Sequence, residues 1–546
     1  DSSDLDGETV NINDDNDEIS DNDGRSDSSD DDDDNDNRPN LQTWTWTNDT
    51  NTVRQINFTG NSGINPIVSR QLNADCTELD VLNQFLTNEF WDKVVSETNK
   101  YAREKILGGG DVRPNNNWTD VTKDEMKAYF SLVVLMSQNP KQKVTDYWSR
   151  RQIIHCPIYS EVMSRDRFKS ISRYLHFSSS LLQTDKLRKI RPVVELLLSS
   201  FKRVFKPGKF CCIDESLMSF RGRLAYIQFN PSKRARFGIK IYKVCDSVTG
   251  YCYNFKIYTG KEITNDTTML VSEQVVLTMT EDLVGEGRLM FMDNWYSSPN
   301  LFLELLNRDT YCIGTLRANR KNVPKEIKKE KLKKGEITFR SSNNMLCLKW
   351  KDRKDVTMLS TYHERPDFQE VTSQRESRKQ NPVVSLKPNV VVDYNKYMCG
   401  VDKQDQKLSS FPVMRRSAKG YKKIFFYLFD IALCNASIVH NLVTKKKIHL
   451  SEFRLNIVDQ LLSTVQLPDR PTGGRPSLDQ PMRLQCKQWG HFIEKIPPTN
   501  KARPSKRCKV CYDHGRRSET IYQCKKCKVP LHLENCFEIF HTVNKY

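Results

Sequence analysis

The sequence predicts an α/β protein: a sheet-forming core set within helical segments, followed by a small metal-stapled module. Three observations predict it. Residues 78–205 and the region after Val390 carry apolar residues at helical spacing, while the stretch between them carries short apolar runs of strand character. Two of those runs, Phe210-Cys-Cys-Ile-Asp214 and Leu289-Met-Phe-Met-Asp293, end in a carboxylate. The last 39 residues hold five of the 16 cysteines, at zinc-ligand spacing.

Residues 1–75 are rich in Asp, Asn, Ser and Thr and poor in aliphatic residues. They bury too little apolar surface to offset the entropy of ordering, so they read as a disordered tail. From Glu78, the residues Leu79, Leu82, Phe85, Leu86, Phe90 and Val94 recur at helical spacing, and the helix runs on to the Gly108–Gly110 stop. Thr122-Lys-Asp-Glu125 reads as a capping box opening a second helix through Met136. Arg165–His176 and Val193–Phe205 read as further helices. After Phe210–Asp214, strands are expected at Lys240–Cys245 and Tyr251–Tyr258 around the turn Ser247–Gly250. A helix near Thr267–Thr280 and the strand Leu289–Met292 follow. Residues 316–390 form a basic insertion with two expected strands, Glu336–Arg340 and Met345–Lys351. Helix returns after Val390 and ends near Ser463. Residues 468–507 are a Pro-, Gly- and Arg-rich linker, and 508–546 the cysteine-rich module.

The 546 residues carry a formal +17, which hides an asymmetry. Residues 1–40 hold 17 Asp/Glu and 2 Arg, a net of −15; the remainder holds 83 Lys/Arg against 51 Asp/Glu, a net of +32. Such a body attracts polyanions, nucleic acid above all, and makes a free-standing metabolic enzyme less expected. The acidic run is a solvated tail or a counter-charge to that body. A membrane partner is not expected. The best apolar stretch, Ile424–Val443, is interrupted by Asp430, Asn435, His440 and Asn441, so a buried helix fits better. The N-terminus shows no apolar signal segment, and the cysteine distribution points to a reducing compartment with one local metal site.

The chemistry lies in two constellations. Asp214 and Asp293 at the ends of adjacent strands would sit side by side and repel each other unless a cation lies between them. Hard oxygen ligands favour Mg²⁺ or Mn²⁺, and two such ions would serve in-line phosphoryl displacement. Asp402 and Asp405 offer a third carboxylate at i, i+3 spacing on one helix face. Gly400 fits a turn into that helix. Glu215 rivals Asp214, but strand alternation points it to the other face. The second constellation is Cys508, Cys511, His514, Cys524, Cys527, His532, Cys536 and His541. Eight ligands suit two structural Zn²⁺ ions in a cross-braced module whose folding energy the metal supplies. Cys486 lies outside this spacing. The lysines and arginines around these ligands favour DNA phosphates.

With these pieces in hand, the chain resembles the piggyBac-type DNA transposases. The resemblance rests on Asp146-Tyr-Trp148, Ser164-Arg-Asp-Arg-Phe168, Arg188-Lys-Ile-Arg-Pro192, Ile213-Asp-Glu215 with Phe220-Arg-Gly-Arg223, and Met292-Asp-Asn-Trp-Tyr-Ser297. Gly314-Thr-Leu-Arg317, Asp393–Asp402 with Asp405-Gln406, and the terminal Cys/His array complete it. It implies an RNase H-like catalytic core at 206–315 and 391–405, split by the 316–390 insertion. It implies a helical dimerisation and DNA-binding domain built from 76–205 and 406–467, and a cysteine-rich domain that binds transposon-end DNA. It places the catalytic aspartates on Asp214, Asp293 and Asp402, with a fourth essential acid on Asp405. Asp214 would bridge two metal ions, with Asp293 and Asp402 each completing one site.

The resemblance further implies a homodimer that excises its element through hairpin ends, inserts it at TTAA, and resides in the nucleus; Lys445–His449 and Arg503–Arg507 are basic enough to serve as the import signal. DNA contacts are expected at Arg317, Arg320, Lys321, Arg415, Arg416, Lys419, Tyr421 and Lys422. One departure stands out: the family usually has Trp after the basic pair. Here Tyr421 takes the base-stacking role or packs in the fold, or Gly420 occupies the Trp position. Two other readings remain, a domesticated relative that binds DNA without cutting and a zinc-dependent ubiquitin ligase; the second leaves the Asp-ended strands unexplained.

Overall fold

The computed structural model describes residues 44–108, 118–179, 184–229, 236–260, 269–372, 384–413, 419–467 and 491–543. The acidic run, Arg415, Arg416 and the linker to residue 490 lie outside the described residues. The chain divides into two compact units, residues 1–467 and 468–546.

At the centre of the first unit is a mixed sheet. Its strands are β1 (Phe210–Ser219), β2 (Phe237–Asp246), β3 (Cys252–Ile257), β4 (Leu289–Met292) and β5 (Tyr311–Thr315), in the order β3-β2-β1-β4-β5. β2 runs antiparallel to β1 and β3, whereas β1, β4 and β5 are parallel. This is an RNase H-like core. β4 is buried along its whole length, as a central parallel strand must be, and therefore reads as a continuous apolar run. The turn from β2 to β3 is shaped by Asp246, whose Oδ1 accepts the Val248 and Thr249 amides. Gly250 closes it at φ +75°.

β1 does not stop at Asp214. It runs five residues further because β2 pairs with it from Cys211 to Ser219. The insertion also departs from expectation. The hairpin β6 (Ile337–Ser342) and β7 (Met345–Lys351) forms as read, turning through Asn343 and Asn344 at φ 52° and 61°. A third strand, β8 (Asp355–Ser360), then pairs antiparallel with β5. The insertion thus prolongs the central sheet.

The helices of this unit include α1 (Asn88–Leu107), α2 (Lys123–Gln138), α3 (Arg191–Val204), α4 (Asn389–Tyr397), α5 (Gly400–Ser410), α6 (Gly420–Thr444) and α7 (Leu450–Thr464). The segment read as one helix from Glu78 breaks after Leu82. α1 starts afresh because Thr87 Oγ1 caps the Phe90 amide. Early and late segments form one helical body. Asn456 and Gln460 on α7 donate to the Glu78 carboxylate at 2.7 Å each, and α7 packs along α2. Thr122 caps α2, but the Glu125 carboxylate turns to Arg167 (2.8 and 2.5 Å) and closes no capping box.

α6 is long and apolar enough to cross a membrane, yet 78% of its apolar window is buried inside the unit. Three of its four polar interruptions have internal partners, Asn441 bonding the Ile448 backbone. Asp430 takes Arg454 at 2.8 Å, and Asn435 exchanges two hydrogen bonds with the Cys252 backbone.

Order also begins earlier than the composition suggests. Residues 44–64 run as an extended strap along the sheet. Thr47 and Ser341 exchange backbone bonds, Asn51 bonds the Glu364 and His363 carbonyls, and the Tyr311 hydroxyl bonds the strap at Arg54 and Ile56. The strap has few aliphatic residues because most of its partners are backbone polar groups.

Candidate active site and zinc module

The parallel register Cys212↔Phe291 and Ile213↔Met292 makes Asp214 and Asp293 the next pair in line. Alternation places both on the face covered by α4 and α5, together with Cys212 and Phe291. Tyr397 of α4 stacks on Phe210 at 4.0 Å and packs on Phe291, which fixes α4 to that face. α5 then crosses β1. A Cβ at Gly400 would stand 2.6 Å from Cys212 Sγ, so only glycine lets the helix come this close. The residue therefore opens the helix itself, and its role is close approach rather than a turn. At the other end Ser216 Oγ donates to Asp405 Oδ1 at 2.8 Å. With residue 400 at Cys212 and residue 405 at Ser216, Asp402 in the first turn lies between these two anchors along α5, and it is exposed.

The site is electrostatically loaded. Burial, and after it the neighbouring Glu215 carboxylate, push the Asp293 carboxyl above its ordinary range, while the Trp295 amide hydrogen bond (2.9 Å) and Arg317 pull the other way. Glu215 itself accepts from the Tyr296 hydroxyl at 3.2 Å. Alternation along β1 turns it to the other face from Asp214, yet its charge acts directly on Asp293. Carboxylate oxygens are hard donors of the kind a divalent cation such as Mg²⁺ takes, but among the described residues only the two Cys/His groups of the second unit bring three or more ligand atoms within 4.8 Å of one another. Asp405 stands apart. Its Oδ1 also takes the Lys243 ammonium at 2.8 Å, so that oxygen is already committed to the fold.

The basic residues divide. Arg317 donates to the Asn294 side chain beside Asp293. Arg320 is buried and donates to the Trp295 carbonyl at 2.6 Å, so it braces the loop after Asp293 and does not face DNA. Lys422 is buried as well. Its ammonium serves the Ser172 and Arg173 carbonyls at 2.7 and 2.9 Å, and burial, helped by Lys419, lowers its pKa to about 7. Neither is a surface cation. Lys321 and Lys419 are half-exposed. Tyr421 packs edge-on against His176 and Phe177 at 5.4 and 6.1 Å, with Lys189 over its ring. It thus packs in the fold while staying half-exposed.

In the second unit, eight side chains form two groups. Cys508, Cys511, His532 and Cys536 make one; His491, Cys524, Cys527 and His541 make the other, and within each group the ligand atoms lie within 4.8 Å of one another. In chain order the groups interleave, which is a cross-brace. His514 is in neither. It sits exposed just past the short helix Lys509–Asp513, its amide returning to Val510. His491 takes its place from within the stretch read as linker, because Ile493–Lys495 pairs with Tyr522–Cys524 and carries residue 491 to the second CxxC. The signal available in the sequence was a histidine followed by an apolar pair, too slight to stand against the closer His514.

The thiols are tuned for a cation. Burial and neighbouring sulfurs push Cys527 and Cys536 up to about 12. In Cys524 burial is outweighed by bonds from His541, His491 and backbone amides, which bring it to about 6. S₃N and S₂N₂ donor sets suit tetrahedral Zn²⁺, so the residues fit structural zinc.

Comparison with known proteins agrees with both units. A family model described as Transposase IS4 matches residues 77–437, and one described as a DDE_Tnp_1-like zinc finger matches residues 490–542. PiggyBac transposable element-derived protein 3 of Homo sapiens is 26% identical over 481 residues, spanning 85% of this chain and 76% of that one. PiggyBac transposable element-derived protein 2 of Homo sapiens is 25% identical over 415 residues, 73% of this chain and 67% of that one. A cryo-EM structure of a piggyBac transposase synaptic complex with hairpin DNA superposes at a TM-score of 0.66 with 22% identity, covering 86% of this chain and 100% of that one. The chain belongs to the piggyBac-type transposase family.

Proposed function

We propose that the chain is a DNA transposase that binds transposon ends, cuts and rejoins phosphodiesters through hairpin intermediates, and inserts at TTAA. The observation that supports it most is the strand register that brings Asp214 beside Asp293 on the face crossed by α5. Asp214, Asp293 and Asp402 would hold two Mg²⁺ or Mn²⁺ ions, and those ions, when bound, supply Lewis acidity toward the reacting phosphoryl oxygens. The chain's own part is to fix three carboxylates on a rigid sheet and helix. Arg317 supplies positive charge at Asp293, and Lys321 and Lys419 are half-exposed cations open to DNA phosphates. Two zinc ions held by His491, Cys508, Cys511, Cys524, Cys527, His532, Cys536 and His541 would fold the basic module that grips end DNA. A homodimer on duplex DNA, working in the nucleus, completes the reading.

Incubation with labelled transposon-end DNA and Mg²⁺ tests it. Nicks followed by hairpins are expected, with cleavage lost and binding kept in Asp214→Asn. Binding without cleavage by the unmodified protein would favour the second reading, an element-derived DNA-binding protein, to which the names of the human relatives lend weight.

A further inference from the structure

Lys243 is fully buried on β2, directly across the antiparallel pair from Asp214. Directly paired residues of such strands hold their Cβ atoms about 5 Å apart, so a fixed ammonium is rooted beside the central catalytic carboxylate. It is held by the Asp405 carboxylate at 2.8 Å and the Tyr427 hydroxyl at 2.9 Å, with its ammonium 5.1 Å from the centre of the Tyr427 ring. Asp405 Oδ1 accepts from Ser216 as well, and Ser216 is two residues along the same face from Asp214. Four groups from β1, β2, α5 and α6 thus meet next to the acids. Nothing in the cleavage chemistry described above uses them.

A buried cation is costly unless it is paired and hydrogen-bonded. Burial alone would pull the Lys243 ammonium toward its neutral form; Tyr427 and Asp405 outweigh that and hold it charged. The pairing has a geometric consequence. Asp405 lies one turn after Asp402 on α5, so the anchor at Asp405 sets the rotation of the helix that presents Asp402.

We propose that Lys243 and Asp405 form a charge clamp beside the active site: Asp405 is a positioning residue excluded from the metal set, and Lys243 is a resident cation that holds it there. The clamp makes the metal-holding set three carboxylates, Asp214, Asp293 and Asp402. It also places one permanent positive charge beside them, which offsets their mutual repulsion before any cation binds. This rests on the transposase reading of the same site.

The test is Mn²⁺ binding followed by electron paramagnetic resonance on the zinc-loaded full chain, with and without an end-DNA duplex, alongside hairpin assays. Asp405→Asn keeps a hydrogen-bond acceptor for Lys243 and Ser216. It is expected to hold two Mn²⁺ per protomer, as the unmodified chain does, while hairpin formation slows at least tenfold. Asp402→Asn is expected to hold one. Lys243→Met frees Asp405 and removes the fixed charge, so Mn²⁺ affinity is expected to rise at least tenfold while the hairpin rate falls; a merely structural loss would not tighten metal binding. Lys243→Met with Asp405→Asn is expected to return the affinity toward that of the unmodified chain. Loss of one Mn²⁺ in Asp405→Asn would make Asp405 a ligand and overturn the clamp, even if Lys243→Met fails to fold. Unchanged affinity in a folded Lys243→Met would overturn it as well. An unmodified chain that binds no Mn²⁺ and cuts no DNA would instead remove the transposase reading beneath it.

Discussion

Replacing His491 with alanine separates the cross-brace from the pattern that the spacing alone suggests. Structural zinc in small modules contributes about 10–16 kcal/mol to folding. Divided over four ligands, His491 carries about 3 kcal/mol of that, which is roughly a hundredfold in zinc affinity. Cys508, Cys511, His532 and Cys536 form a complete set that does not include it. His491→Ala should therefore retain one tightly held zinc and release the second about a hundredfold more readily. The assay is competition with a chromogenic chelator, counting ions per chain and reading each affinity. Thermal unfolding of the module should fall with the second ion, since its six-residue apolar cluster contains two of the cysteines. His514→Ala should leave both ions in place. A His514→Ala protein that lost an ion, or a His491→Ala protein that kept two with unchanged affinity, would refute the interleaved assignment.

Three further outcomes follow from the first unit. Arg167→Ala strands the Glu125 carboxylate, which is 2% exposed, and should cost about 3–5 kcal/mol in urea unfolding; Arg167→Met with Glu125→Gln should recover much of it. His176 is stacked on Tyr101 at 4.1 Å, and burial, then Lys189 and Lys422, lower its pKa to about 4 against an ordinary 6.5. Its neutral ring contributes stability that is full above pH 6.5 and lost as pH falls toward 4, about 3 kcal/mol in all; unfolding measured from pH 7 to 4 should show that slope, and His176→Gln should flatten it. Lys422→Gln should lower stability by about 1–3 kcal/mol because two helix-end carbonyls lose their donor, with the salt dependence of DNA binding unchanged, whereas Lys321→Gln should reduce the slope of log affinity against log salt by about one and leave stability alone.

The parts of the fold that were legible in the sequence are those written in local chemistry. The run Leu289–Met292 is apolar because it is a central parallel strand, and a buried strand announces itself that way. The two CxxC pairs carry their meaning in their spacing, and of the eight ligands they nucleate one, His491, was missed, His514 being read in its place where a lone histidine had to be chosen. The rest depended on partners far away in the chain. Nothing near Glu125 says that its carboxylate will meet Arg167 and abandon the capping box. Nothing in residues 44–64 predicts order, because that order comes from backbone groups offered by Ser341, Glu364 and Glu286. Asp405 carried a family expectation as an essential acid, yet its role turns on Lys243, a residue no motif singled out.

The same reasoning changes what the net charge means. A body at +32 suggests a broad DNA-binding surface, but several of its cations are spent inside. Arg288 and Arg454 are fully buried, the first on the carbonyls of Pro207, Gly208 and Leu283, the second on Asp430. Lys243, Arg320 and Lys422 are buried as well. Each is tied to carbonyls or carboxylates at a junction between segments distant in sequence: Arg288 where the strap meets the sheet, Arg454 between α6 and α7, Lys243 between β2 and α5, Lys422 between α6 and the helix Arg165–Tyr174. Long cationic side chains with several donors suit such junctions, since one ammonium or guanidinium satisfies backbone carbonyls from two elements at once. A core assembled from separate stretches of chain, with helices before and after it, needs many such junctions. Part of the basic excess is thus the cost of joining a discontinuous fold. A DNA surface is to be sought among the cations that the fold leaves exposed or half-exposed, Lys321 and Lys419 among them.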